Sequence, residues 1–168
     1  IQEVFEVSKA VSGQLPVKPE VLDFGKLLRQ TLADMDAQIA GSGILFRVSI
    51  PVEPVLIRAD GQRIYRVFQN LIQNALQYSL KDSRVYLTLR EEEGRARAVL
   101  KNTSATELDG KTDFTERFVR GDESRTDGGS GLGLSIAKSF TEACGGCLQI
   151  ATDADLFTVS VTFPVEGA

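Results

Sequence analysis

Near the end of the chain Phe157, Val159, Val161 and Phe163 alternate with Thr158, Ser160 and Thr162, and the same period of two runs through Ile44, Phe46, Val48 and Ile50. Such alternation marks strands with one apolar and one wetter face, whereas strands buried on both faces read as continuous apolar runs. Further strands are predicted near Arg84–Arg90 and Arg95–Lys101, joined by a turn at Glu93-Gly94, and a short extended piece at Val55–Arg58. Between them lie stripes of helical period. Leu28, Leu32, Met35 and Ile39 share one face of a helix that ends at Gly41-Ser42-Gly43. Asp60 is a good N-cap for a second helix with Ile64, Val67, Phe68, Leu71, Ile72 and Ala75 on its apolar stripe. A third helix is predicted over about Gly131–Ala143. Three helices and about five one-sided strands fit a two-layer α/β sandwich with helices on one face of the sheet.

Composition narrows what such a domain can do. The 168 residues carry a net charge of −4, which argues against nucleic acid as a partner. No stretch has the roughly 18 apolar residues of a membrane span, so no membrane contact is expected of this chain. There is no histidine, which excludes histidine triads and most zinc enzymes. Cys144 and Cys147 form a lone Cys-Gly-Gly-Cys at the end of the third helical run, where the glycines read as a helix stop and a reduced compartment is the simplest setting. Ile1, Val4, Phe5 and Val11 have helical spacing over barely three turns, and Ser12-Gly13, Pro16 and Pro19 then break it. We therefore divide the chain into the end of an upstream helix plus linker over 1–18, and one domain over 19–168.

Two clusters can carry chemistry. Asn70 and Asn74 lie one turn apart at the edge of the apolar stripe, and Gln77 and Tyr78 continue their ridge. Amides there are surface groups or ligands of a hard cation such as Mg²⁺, which completes its shell with water and phosphates. Gly129-Ser130-Gly131-Leu132-Gly133 leads straight into the third helix, where glycines and free N–H groups admit an anion. It is neither a Rossmann fingerprint nor a P-loop. Residues 119–130 before it are polar and read as a mobile loop. Arg63 and Arg66 share the Asn70 ridge and face either phosphates or solvent.

The order of these segments resembles the ATP-binding catalytic domain of sensor histidine kinases, in the GHKL superfamily with gyrase, Hsp90 and MutL ATPases. FQNLIQNALQYS (68–79) is similar to the family's N box, FTERFVRGD (114–122) to its F box, GGSGLGLSIAKS (128–139) to its second glycine box, and FTVSVTFP (157–164) to its final strand. The resemblance implies a Bergerat fold: an α+β two-layer sandwich whose mixed, mostly antiparallel sheet of about five strands is covered on one face by three helices. It implies ATP and Mg²⁺ as ligands. By the same resemblance Asn74 holds the metal, and Asn70 stands where hydrolysing relatives have a glutamate that activates water. An amide cannot accept that proton, so phosphoryl transfer fits better than efficient hydrolysis. Tyr78 packs near the nucleotide, and Arg120 faces the phosphates as the candidate catalytic residue. Gly129, Ser130, Gly131, Leu132 and Gly133 hold the phosphates, and 119–130 form a lid.

The resemblance further implies a protein-histidine kinase (a phosphotransferase) whose acceptor histidine lies on an upstream dimerisation hairpin, with Ile1–Val11 as that hairpin's last turns. A response regulator is the implied onward partner, and the setting is the cytoplasmic side of a membrane-anchored bacterial protein. Three departures stand out. Asn102 in KNTSA (101–105) replaces the adenine-binding aspartate of the first glycine box, whose glycines are missing too; Gln77 stands where a lysine is common; Thr115 replaces an aromatic of the F box. A degenerate kinase-like docking module that binds no nucleotide therefore remains an alternative, as does a serine kinase of the anti-sigma type.

Overall fold

The four alternating strands predicted over 44–50, 84–90, 95–101 and 157–163 all join one five-stranded sheet, in a computed structural model that describes residues 15–115 and 133–167. In chain order the elements are β1 (Glu20–Asp23), α1 (Phe24–Asp34), α2 (Asp36–Ser42), β2 (Leu45–Ser49), β3 (Leu56–Ala59) and α3 (Gly61–Tyr78), then β4 (Arg84–Glu92), β5 (Arg95–Thr103), α4 (Gly133–Ala143), β6 (Cys147–Asp153) and β7 (Leu156–Pro164). The strand order is β2-β4-β5-β7-β6, with β2 parallel to β4 and every other pair antiparallel. Glu93 and Gly94, at φ 50° and 76°, make the two-residue turn between β4 and β5. Positive φ at both central residues is the geometry whose twist suits a tight hairpin.

Alternation decides which side of the sheet is covered. Val85, Leu87 and Leu89 of β4, Ala96, Ala98 and Leu100 of β5, and Phe157, Val159, Val161 and Phe163 of β7 are buried on one face. The intervening residues of β4 and β5 stand on the opposite face, mostly exposed. The six apolar residues predicted on the second helix, Ile64 to Ala75, are all buried along α3. Phe24 of α1 meets Phe68 of α3 edge-on at 5.6 Å and Phe163 of β7 at 5.9 Å, joining helix layer and sheet at one aromatic node.

The predicted N-cap is present: Asp60 accepts from the backbone N–H of Gln62 (3.1 Å) and Arg63 (3.4 Å), and its other oxygen from that of Lys18 (2.9 Å). The glycine stop after α4 is present as well. Gly145 has φ +87°, and a Cβ on Gly146 would lie 2.6 Å from the Phe163 ring, so no side chain fits there. The stop sends the two cysteines to different surroundings. Cys144 is half-buried, and its burial pushes the thiol pKa up, while Cys147 is exposed at the start of β6; both are free thiols.

Two features differ from expectation. The helix predicted through Leu28 and Ile39 is two helices, broken at Met35 (φ −102°, ψ 9°). Met35 is itself buried, but no residue of α2 is, so the chain turns where its contact with the core ends. The extended piece near Val55 is β3, and it pairs not with the main sheet but with β1, which the sequence pattern did not reveal. Asp23 ties that ribbon to α1: one carboxylate oxygen accepts from the N–H of Gly25 (3.0 Å), Lys26 (3.4 Å) and Val55 (3.2 Å). Among the described residues no helix is long and apolar enough to cross a membrane.

Candidate functional site

The C-terminal half of α3 and the end of β5 are stitched together by backbone. Leu80 N–H donates to Thr103 C=O and Ala105 N–H to Tyr78 C=O, each at 2.8 Å, and Ser79 bridges Ser104. Asn102 lies one residue before this seam. It follows Ala96, Ala98 and Leu100 on the helix-facing side of β5 and is buried, at 4% exposure. The fold thus brings the amide ridge of α3 and the candidate adenine residue into one neighbourhood, on the covered side of the sheet.

Polar satisfaction along that ridge is incomplete. Asn70 Nδ2, Gln77 Nε2 and Ser79 Oγ are buried with no hydrogen-bond partner among the described residues. Asn70 and Gln77 are seven residues apart, two turns of helix, so their amides share one face, and Asn74 lies between them, half-buried. A buried donor without a partner costs about 1–3 kcal/mol, so three together make this ridge suited to receive a polar ligand. Amides suit both halves of a nucleotide–metal pair: the nitrogen donates to phosphate or base, and the oxygen ligates a hard cation. Among the described residues no cluster of three His, Cys, Asp or Glu could hold a metal ion, so Mg²⁺ here would draw on an amide oxygen and on the nucleotide's own phosphates. The residues present fit that pair.

Ser79 and Ser104 escaped the reading of the sequence. A serine just after a helix and another just after a strand look like ordinary end residues, and only the seam between them reveals their place. At Asn102 the structure also gives the uncharged substitution a reason. A carboxylate at 4% exposure loses most of its hydration, whereas an amide there keeps an acceptor at much smaller cost. The missing glycines have one too: no residue from 102 to 109 has positive φ, so this stretch does not call on glycine's conformational freedom.

The other candidates separate into described and undescribed. Arg120, Gly129, Ser130, Gly131 and Leu132 lie outside the described residues. Gly133 is the first residue of α4, and nothing lies within 4 Å of where its Cβ would be. The segments on either side are joined: Ser135 Oγ donates to Thr115 C=O at 2.8 Å. Phe114 packs edge-on against Phe157 at 5.2 Å. Thr115 hydrogen-bonds Asp113 through its hydroxyl (2.6 Å) and its N–H (3.0 Å), and these two bonds hold the Asp113 carboxyl below the usual range. Arg63 belongs elsewhere: its guanidinium lies 5.2 Å from the centre of the Phe140 ring and donates to Pro16 C=O at 3.5 Å, which ties α3 to α4.

Residues 59–167, well over half of the chain, match the family described as histidine kinase-, DNA gyrase B- and HSP90-like ATPases. The chain belongs to this ATPase family. Within the family its relatives are sensor kinases. The sensor protein VanSC of Enterococcus gallinarum is 30% identical over 169 residues, covering 98% of this chain and 46% of VanSC. The sensor protein kinase WalK of Staphylococcus saprophyticus is 24% identical over 172 residues, covering 99% of this chain and 28% of WalK. The chain thus spans less than half the length of these relatives. Among solved structures, the catalytic domain of histidine kinase ThkA superposes with a TM-score of 0.77 at 20% identity, covering 89% of this chain and 97% of that one. The histidine kinase AdeS of Acinetobacter baumannii does so at 0.75 and 15% identity, covering 99% and 77%. The fold is the expected Bergerat sandwich of the GHKL superfamily, and it is similar along most of its length to the catalytic domains of histidine kinases.

Proposed function

We propose that this family member binds ATP with Mg²⁺ and, within its full-length protein, transfers the γ-phosphoryl group to a histidine on an upstream dimerisation domain. The observation that carries the binding step is the pair of buried, unpartnered amides on α3, with Asn74 between them, on the helix whose end is stitched to the strand that carries Asn102. Asn74 ligates the metal, and Asn102 accepts from the adenine amine. Asn70, Gln77 and Tyr78 line the site, and Arg120 with 129–133 receives the phosphates. Bound Mg²⁺ would supply charge neutralisation at the phosphate oxygens.

An amide at Asn70 cannot take a proton from water, which favours phosphoryl transfer to a protein side chain over hydrolysis. In that transfer the bond from the γ-phosphorus to the ADP oxygen breaks as an imidazole nitrogen bonds to phosphorus. The chain has no histidine, so the acceptor belongs to another part of the protein. On this reading residues 1–18 are the end of that dimerisation hairpin and its linker, the onward partner is a response regulator, and the domain works on the cytoplasmic side of a membrane-anchored protein.

Calorimetric titration with a non-hydrolysable ATP analogue, with and without Mg²⁺, tests the binding step. Saturable, metal-dependent binding that is lost in Asn74→Ala is the expected result. Metal-independent binding, or normal binding by Asn74→Ala, would overturn the metal assignment. No binding at millimolar nucleotide would favour a docking module instead, the reading that the neutral Asn102 keeps open.

A further inference from the structure

The face of the sheet that carries no helix is cationic in a chain that is acidic overall. Register and alternation place Arg47 of β2, Arg84 and Arg90 of β4, and Arg95, Arg97 and Lys101 of β5 on it, all exposed. Only Glu92 and Asp153, at two corners, oppose them within the strands. None of the six cations makes an ion pair with a described carboxylate.

Arg90 and Arg97 are direct cross-strand partners. Such residues have Cβ atoms only about 4.5–5.5 Å apart, and like charges in that position repel. Arg95 adds a third cation on the diagonal. Arg97 leans away over β7, donating to Ser160 Oγ at 3.0 Å. Nothing in the fold requires this juxtaposition, because the side chains point away from the core.

Several anionic partners would relieve it, and the geometry discriminates among them. The cations lie in a band along the β4–β5 hairpin, with Arg47, Arg84 and Lys101 at one end and Arg90, Arg95 and Arg97 at the other. Six residues of strand separate the ends, about 20 Å. The β7 and β6 side of the face is neutral, with Thr158, Ser160, Thr162, Gln149 and Ala151. Neighbouring strands rotate by about 20–25°, so the face is a saddle on which a flat lipid surface meets only part of the band. Tyr86, 43% exposed, is the single aromatic among the cations, which is no series of stacking platforms for bases. A narrow acidic chain running along the hairpin reaches both ends of the band, and guanidinium pairs grip carboxylates in two-pronged fashion.

We propose that the open face over β2, β4 and β5 is a docking surface for an acidic, extended segment of a partner protein, with carboxylates seated on the Arg90–Arg97 pair. Fluorescence anisotropy of a labelled octaglutamate peptide, titrated with the chain at low salt, tests it. Phosphatidylserine vesicles and a thymidine oligonucleotide serve as competing ligands. Saturable peptide binding is expected, weakened at least tenfold in R90E/R97E and changed twofold or less in K18E/K26E, which alters total charge equally at exposed positions off this face. The single variant Arg90→Glu should melt no lower than the parent, because it turns a like-charged pair into an opposite-charged one. Equal loss in both double variants would reduce the effect to net charge and overturn the proposal. Absent peptide binding, or tighter binding to vesicles or oligonucleotide than to peptide, would overturn it as well.

Discussion

The two ends of α3 treat buried polar atoms in opposite ways. At its start Asp60 accepts from three backbone N–H groups, and Arg63 is spent on Phe140 and Pro16. At its end Asn70, Gln77 and Ser79 each keep a buried polar atom that no described residue meets. One helix thus combines an end whose polar groups are committed to folding with an end whose polar groups are held for something else. Substitutions should divide the same way: those at the start lower stability and spare binding, and those at the end do the reverse.

The largest expected effect is at Asn70. Asn70→Leu removes a buried unpartnered donor, so the melting temperature should hold or rise, while nucleotide affinity falls. A hydrogen bond to a charged group is worth about 1.5–3 kcal/mol, a loss of roughly ten- to hundredfold. Calorimetry beside thermal melting reads both, and a clear drop in melting temperature would erase the contrast between the two ends. Asp60→Ala is the mirror test. It should cost about 1–2 kcal/mol of stability in denaturant titration, with nucleotide affinity unchanged.

Asn102→Asp sharpens the contrast from the strand side. A charged acceptor should tighten nucleotide binding by about 1 kcal/mol, near fivefold, and lower stability in the unliganded protein because the carboxylate is buried. If stability does not fall, the physical reason given for the asparagine is wrong. The smallest effect concerns Asp113, whose carboxyl Thr115 holds below the usual range. With its folded pKa depressed, the Asp113–Thr115 contact is fully present above the ordinary carboxylate value and is lost as pH falls through the lower folded value. Thr115→Ala, which removes the hydroxyl bond, should move that titration up toward the ordinary carboxylate range, as followed by NMR of the carboxyl group.

Much of this was legible in the sequence because the relevant signals are local. Alternation in 44–50 and 157–163 marks strands wherever the partner strand lies, and an aspartate before an apolar stripe marks a cap without reference to the rest of the fold. Asn70 and Asn74 stood out because amides are poor helix formers beside a core. What stayed hidden depends on pairing. Four residues, Glu20–Asp23, are a strand only because β3 lies beside them, and the break at Met35 follows from where the core stops. Arginines at 90 and 97 look like ordinary wet-face residues until the hairpin register sets them opposite each other. The same is true of Ser79 and Ser104, which acquire meaning only at the seam.

The bond from Ser135 to the carbonyl of Thr115 has a consequence for how members of this family can diverge. It closes a ring around everything between these residues, while β5 and β7 are already paired along their whole lengths. Each doubling of a closed loop costs only about 0.6 kcal/mol, so insertions or deletions inside the ring scarcely tax the scaffold. The length of chain between these two anchors can therefore vary without renegotiating the sandwich that carries them.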